Sequence, residues 1–182
     1  MKIDYSKIFK DIITFTPTVF EDNRGVFYES YNSQISDLLN VEFVQENHSI
    51  SKKNVIRGLH YQWEKPTGKL VRCVRGTLID YVVDIRKDSP TFGKYDSFIL
   101  SDINKTSVWI PPGFAHGFLS LDDDTHLLYK CTATYNKDGE GSINPFDDDI
   151  FIYYPVSKLQ SILSDKDRGA QSLSDYLKSP KF

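Results

Sequence analysis

The chain has 182 residues, a net charge of −3 and 40% hydrophobic residues, which is enough for one domain with its own core over residues 1–182. The acidic balance argues against a nucleic-acid-binding protein, and no apolar run is long enough to predict a membrane-spanning helix. No apolar run follows Met1, so no signal peptide is expected, and Cys73 and Cys131 match no zinc spacing. We therefore expect a cytoplasmic protein with two free thiols.

Short strand-like segments separated by turn residues run through most of the chain. Turn chemistry such as Arg75-Gly76 and Asp88-Ser89-Pro90 separates them, and this spacing predicts an all-β sandwich or barrel. Helical signals are limited to residues 35–39, 155–163 and 172–177, which predicts short helices near the C-terminus. The strands are expected at residues 27–30, 41–44, 69–74, 77–85, 95–100, 107–110, 117–121 and 126–134.

Strand alternation places particular side chains on one face. Lys69, Val71 and Cys73 share a face of their strand, and Lys69 either points into the barrel or lies at its edge. Tyr129 and Tyr135 share a face of the segment from residue 126, about 20 Å apart if the strand is unbroken. Such a separation suits a long ligand with a reacting end and a recognition end.

Two histidines follow glycine-containing segments with a barrel-like pattern. The first is His60 in Arg57-Gly58-Leu59-His60-Tyr61-Gln62, and the second is His116 in a Pro-x-Gly-x-x-His segment typical of cupin barrels. A cupin metal site needs another histidine two residues after the first, where this chain has Gln62. Because zinc or iron needs three or four ligands, we expect no metal and assign the imidazoles to acid–base chemistry. His48 and His126 lack such a setting and are expected at the surface or in packing.

A histidine that acts as a general base needs a partner that orients its ring. The sequence offers two candidate carboxylates, each with two possible roles. Residues 163–167 carry Asp165 and Asp167 after a helix or turn, where they either cap a helix in solvent or hold a histidine. Arg24 and Arg57 are either phosphate ligands or members of surface ion pairs.

Taken together, these segments resemble the dTDP-4-dehydrorhamnose 3,5-epimerase family nearly from end to end. The resemblance implies a metal-free, cofactor-free, cupin-like jelly roll with short C-terminal helices that acts on a dTDP-sugar. It also implies a homodimer that shares N-terminal strands. The matching motifs lie at residues 20–29, 43–49, 55–62, 68–73, 84–93, 109–118 and 163–167.

The same resemblance implies a role for individual residues. His60 would be the base beside the C4 ketone with Asp167 as its partner, and Tyr129 would deliver a proton from the opposite face. Tyr135 would stack on thymine, while Lys69 and His116 would lie near the sugar and its C4 oxygen. The other positions implied in substrate binding, some of them from the partner subunit, are Arg24, Glu29, Gln45, Glu46, Asn47, Arg57, Glu140 and Lys166.

The predicted reaction converts dTDP-4-dehydro-6-deoxy-D-glucose into dTDP-4-dehydro-L-rhamnose by inverting C5 and C3. Three alternatives stay open: an epimerase that inverts only one centre, a metal-dependent cupin oxygenase or isomerase, and a non-catalytic carbohydrate binder. Two segments depart from the family pattern. Residues 168–171 lack a proline that many relatives carry, and loop 63–67 differs among relatives and could alter which sugar is accepted.

Overall fold

A computed structural model describes all 182 residues and shows two antiparallel sheets packed face to face. Strands β3 (Val19–Asp22) and β4 (Gly25–Tyr28) form a separate hairpin. This architecture confirms the predicted all-β, cupin-like jelly roll. The six-stranded sheet has the order β1 (Lys2–Tyr5), β2 (Ile13–Thr16), β10 (Ser107–Ile110), β7 (Lys69–Arg75), β12 (Thr125–Cys131) and β5 (Gln45–Ser51). The five-stranded sheet has the order β13 (Glu140–Ser142), β6 (Ile56–Gln62), β11 (Phe114–Ser120), β8 (Thr77–Asp84) and β9 (Tyr95–Ser101).

The main core lies between the two sheets and follows the period-two pattern of their strands. On β7, Val71 and Cys73 are buried in this core, as the alternation predicts, and Leu70 turns to the opposite face. There Leu70 packs with Trp109 beneath α1 (Ser33–Leu39). Burial of these side chains, at about 25 cal/mol per Å² of apolar area, drives the sheets together.

A second core covers the outer face of the five-stranded sheet. The C-terminal segment, with α2 (Asp165–Arg168) and α3 (Leu173–Tyr176), packs over β6 and β8. The Tyr176 hydroxyl donates to the Ile85 carbonyl at 2.9 Å, and the Gln171 side chain donates to the Tyr61 hydroxyl at 2.9 Å. Gln171 therefore ties the end of the segment 168–171 to β6, and Tyr176 ties α3 to the end of β8. No helix in the structure is long and apolar enough to cross a membrane.

Two predicted elements are wrong. Residues 41–44 form no strand, because Phe43 turns away to pack on Trp109, and pairing with β12 begins only at Gln45. Residues 155–163 form no helix. Ile162 instead forms a backbone bridge with Val55, just before β6, and its carbonyl accepts the Ile56 N–H at 3.0 Å. Leu159 in this segment is 98% exposed, so the apolar pattern that suggested a helix does not correspond to a buried helical face.

Two glycines allow β6 and β11 to approach closely. A Cβ atom at Gly58, whose φ is +117°, would lie 2.6 Å from the Gly117 Cα and 2.6 Å from the His116 carbonyl oxygen. Only glycine fits such a contact at a positive φ. The close approach brings His60 opposite His116 in the strand register.

Candidate active site

A cavity opens at the end of the barrel where β5, β6, β7 and β12 meet. It gathers an imidazole, an ammonium group and a phenol: His60, Lys69 and Tyr129. These residues are the predicted base, the predicted oxyanion partner and the predicted proton donor, from three different strands. The other lining residues are Gln45, Asn47, Tyr61, Gln62, Thr67, Cys131, Ala133, Tyr135 and Glu140.

Asp167 holds His60, in agreement with the alternative in which a carboxylate from residues 163–167 orients a histidine. The His60 Nε2 atom lies 2.7 Å from the Asp167 carboxylate, and the Asp167 side chain is only 4% exposed. Ser164 caps α2 by accepting the Asp167 N–H at 3.1 Å, which fixes Asp167 at the start of the helix. Because a carboxylate only accepts hydrogen bonds, Nε2 carries the proton and Nδ1 remains as the basic atom.

The charge on Asp167 is stabilised by its neighbours. Burial opposes ionisation of this carboxyl, but hydrogen bonds from His60 and Ser164 outweigh it and hold the Asp167 pKa below its usual range. Asp167 is therefore anionic when His60 accepts a proton, and it stabilises the resulting imidazolium.

A second histidine–aspartate pair lies beside the first. The His116 Nε2 atom is 2.7 Å from an Asp80 oxygen, and both side chains are buried. The second Asp80 oxygen has no hydrogen-bond partner. Burial lowers the His116 pKa, although the Asp80 charge offsets part of this effect. Sequence reasoning missed Asp80, although an aspartate facing inward on the apolar strand β8 is a signal that could have identified it.

Lys69 and Tyr129 are both perturbed by their position inside the barrel. Burial lowers the Lys69 pKa, and the charges of Glu140 and Asp80 partly counteract it. Burial raises the Tyr129 pKa, while Asn47 and Arg57 partly oppose that rise. Tyr129 is thus protonated at neutral pH, so it has a proton to deliver.

The mouth of the cavity carries the predicted recognition residues. Tyr135 is 59% exposed, and its hydroxyl donates to Glu140 at 3.1 Å. Lys166 forms an ion pair with the same Glu140 carboxylate. The premise that Tyr129 and Tyr135 share one strand is wrong, because β12 ends at Cys131 and Tyr135 lies in the following coil. Both tyrosines nevertheless line the same cavity.

Besides His116 and Lys166, four predicted binding residues do not line this cavity within one chain. Arg24 pairs with Asp22 on the β3–β4 hairpin, and Glu29 accepts a hydrogen bond from Asn32 just beyond that hairpin. Glu46 pairs with Lys130 on the outer face of the six-stranded sheet. The remaining residue, Arg57, donates to Ser51 and to the Ile50 carbonyl.

The other two histidines lie away from the cavity, as expected. His48 and His126 are neighbours on β5 and β12, with the His48 Nε2 atom 3.0 Å from the His126 Nδ1 atom. His48 is exposed and His126 is partly buried. The pair is a surface contact between the edge strand β5 and its neighbour β12 in the larger sheet.

Taken together, the jelly roll and its cavity define a class: a cupin-like barrel equipped for proton transfer to and from a bound ligand. Its histidine is oriented by a buried carboxylate, and a protonated tyrosine lines the same cavity. In place of the second histidine of a cupin metal site it carries Gln62.

Comparison with known proteins specifies the family. The family model for dTDP-4-dehydrorhamnose 3,5-epimerase matches residues 6–175, so the chain belongs to this family. It is 50% identical over 171 residues to the dTDP-4-dehydrorhamnose 3,5-epimerase of Salmonella typhimurium, covering 92% of this chain and 93% of that protein.

Solved structures agree with this assignment. A dTDP-6-deoxy-D-glucose-3,5-epimerase from Legionella pneumophila, in complex with dTDP-4-keto-L-rhamnose, is similar with a TM-score of 0.90 and 41% identity over 95% of this chain and 93% of that one. A 3'-monoepimerase from Streptomyces bikiniensis, in complex with dTDP-quinovose, has a TM-score of 0.89 and 31% identity over 96% of this chain and 89% of that one.

Proposed function

We propose that this protein inverts C5 and C3 of dTDP-4-dehydro-6-deoxy-D-glucose to give dTDP-4-dehydro-L-rhamnose. The observation that carries the proposal is the His60–Asp167 pair in the same cavity as Lys69 and Tyr129. The 50% identity to the Salmonella typhimurium enzyme supports the choice of substrate.

The reaction at each centre is a proton removal followed by a proton delivery. His60 takes the proton from the carbon beside the C4 ketone, the C–H electron pair forms the enolate double bond, and the ketone π pair moves to O4. Tyr129 then donates its phenolic proton to the opposite face of that carbon while the O4 pair restores the ketone. Solvent removes the proton from His60 and returns one to Tyr129.

Lys69 contributes stabilisation of the enolate oxygen, which a base alone does not provide. A positioned acid or base contributes about 10²–10⁴-fold, which is less than the roughly 10⁶-fold or more that enzymes achieve. In this proposal the cationic Lys69 side chain stabilises the developing charge on O4, and one such group contributes about 10²–10³-fold. Multiplied together, the two effects give about 10⁴–10⁷-fold, a range whose upper part reaches the rates of enzymes.

The nucleotide binds at the mouth of the same cavity in this proposal. Tyr135 presents an exposed ring for stacking on the base, and its hydroxyl is held by Glu140. Lys166 contributes a cation beside this carboxylate, and Gln45 and Asn47 supply polar groups from β5.

Deuterium taken up from the solvent shows how many carbon centres of the sugar are inverted. The similar fold of the Streptomyces bikiniensis 3'-monoepimerase makes a single-centre epimerase the second candidate. Incubation with dTDP-4-dehydro-6-deoxy-D-glucose in D₂O, followed by NMR, should show deuterium at both C5 and C3 with inverted configuration at each. Deuterium and inversion at one carbon only would establish the second candidate, and no turnover would contradict both.

We further propose that two copies complete each other's sites by exchanging N-terminal hairpins. On the β3–β4 hairpin Phe20 is 62% exposed and Phe27 is 69% exposed, which is unusual for aromatic side chains in a lone chain. The cavity of about 90 Å³ is far below the roughly 300 Å³ or more of typical ligand sites. A hairpin from a second copy would enlarge the enclosed site and bring Arg24 and Glu29 to it.

Mixing two inactive variants tests this exchange. Arg24→Ala and His60→Ala should each have very low activity alone, because every site then lacks one of its residues. With random pairing about half of the dimers are hybrid and each has one intact site, so co-expression should restore about one quarter of wild-type activity. No recovery in verified hybrids would show that Arg24 and His60 serve one site within one chain.

We also infer a cytoplasmic location. Cys73 and Cys131 are both buried free thiols, which fits a compartment that keeps thiols reduced. Fractionation of cells that produce the protein should recover it in the cytoplasmic fraction, and recovery outside the cytoplasm would contradict the inference.

A further inference from the structure

Gln62 occupies the position of the missing cupin histidine, and its side chain is fully engaged elsewhere. The two hydrogens on Nε2 are shared among three acceptors, the Lys65 carbonyl at 2.8 Å, the Thr67 hydroxyl at 2.7 Å and the Thr134 carbonyl at 3.2 Å. The Oε1 atom accepts the Asn136 N–H at 2.9 Å. The side chain is buried, so these bonds are shielded from water.

These four bonds connect two neighbouring segments. One is the loop 63–68, and the other is the coil 132–136 that follows β12. Gln62 holds the second segment on both sides of Tyr135, through the Thr134 carbonyl and the Asn136 N–H. The Tyr135 N–H itself is accepted by Gln45 at 3.0 Å.

Other bonds hold the two ends of this coil: the Thr132 N–H donates to the Gly68 carbonyl at 3.0 Å, and the Asn136 side chain donates to Glu64 at 3.1 Å. The Tyr135 ring is 59% exposed, and its hydroxyl bonds to Glu140. Around Tyr135 itself, the bonds to its N–H, to the Thr134 carbonyl and to the Asn136 N–H come from Gln45 and Gln62.

We propose that Gln62 is a positioning residue for nucleotide binding, one that aligns the Tyr135 segment at the mouth of the cavity. The inference rests on the proposed function, in which Tyr135 stacks on the thymine base. Gln62, which stands where a cupin metal site has a histidine, then has a structural role of its own. Gln62 does not touch the reacting carbons in this account, so it acts on binding more than on the chemical step.

Gln62→Glu tests the proposal with almost no change of shape. A carboxylate still accepts the Asn136 N–H but has no N–H for the carbonyls of Lys65 and Thr134, and it places negative charge against them. Loss of these bonds should weaken dTDP binding by about 10-fold and raise KM for the dTDP-sugar similarly. The turnover number kcat should fall less than about 3-fold, because the His60–Asp167 pair is untouched.

Gln160→Glu is the matched control, since it makes the same change of charge at an exposed turn. Calorimetry should give wild-type dTDP affinity for this control. If Q62E binds dTDP as tightly as wild type, or loses kcat with KM unchanged, the inference is overturned while the proposed function stands. If the wild-type protein binds no dTDP, the result contradicts the proposed function itself.

A second variant covers the case in which Q62E does not fold. Thr67→Val removes the hydroxyl that accepts from Gln62 at 2.7 Å and donates to the Lys65 carbonyl at 3.1 Å, and it leaves the bonds from Gln62 to Thr134 and Asn136 in place. It should weaken dTDP binding by about 3-fold, in keeping with the loss of one of the Gln62 hydrogen bonds. Unchanged affinity in a folded T67V protein would overturn the inference.

Discussion

Replacing His60 with alanine should lower kcat/KM for epimerisation by about 10³-fold, the largest loss expected from any single substitution. The structure offers no second base in the same setting, because the neighbouring imidazole, His116, is buried, does not line the cavity and is paired with Asp80. Deuterium incorporation from D₂O should fall with turnover, since both depend on the same proton removal. NMR of the sugar protons measures both quantities in one sample.

Nucleotide affinity provides the control for the His60→Ala variant. The recognition residues Tyr135 and Glu140 lie at the cavity mouth, so dTDP should bind the variant within about 3-fold of the wild-type affinity. Asp167→Asn should have a smaller but clear effect, because an amide no longer stabilises the imidazolium. Undiminished label incorporation by His60→Ala would remove this residue from the mechanism.

Replacing Tyr129 with phenylalanine should separate proton removal from inversion. His60 can still take a proton and return a deuteron from D₂O to the same face, so the substrate should become labelled. Inverted product should form about 10²–10³-fold more slowly, because the opposite face has lost its donor. The diagnostic result is label without inversion.

Tyr153→Phe is the matched control for Tyr129→Phe. This tyrosine is 74% exposed in the C-terminal coil and does not line the cavity, so its loss should leave label and inversion coupled. If Tyr129→Phe inverts its substrate at the wild-type rate, another group delivers the proton and the proposed role of Tyr129 is wrong.

The sequence indicated the local parts of this molecule better than the long-range ones. Strands β7, β8, β9 and β10 lie close to their predicted positions because period-two alternation and turn residues are local signals. Residues 155–163 were mispredicted because their apolar side chains are not the buried face of a helix: Leu159 is exposed, and Ile162 forms a backbone bridge with the distant Val55.

The active site shows the same difference between local and long-range features. His60 is visible from its own motif, but its pairing with Asp167 spans 107 residues, and the residues alone left that carboxylate undecided between a cap and a partner. The structure shows that the segment does both, with Ser164 as the cap and Asp167 as the partner. Asp80 was missed because an isolated aspartate in a strand gives no sign of which imidazole it will meet.

A crystal structure of the protein with bound dTDP-4-dehydro-L-rhamnose would test the central claim most directly. The account predicts that the sugar ring lies between His60 and Tyr129, with the His60 Nδ1 atom and the Tyr129 hydroxyl on opposite faces and each about 3–3.5 Å from C5 or C3. It also predicts the ketone oxygen beside the Lys69 ammonium. Both side chains on one face of the ring, or a sugar bound outside the cavity, would contradict it.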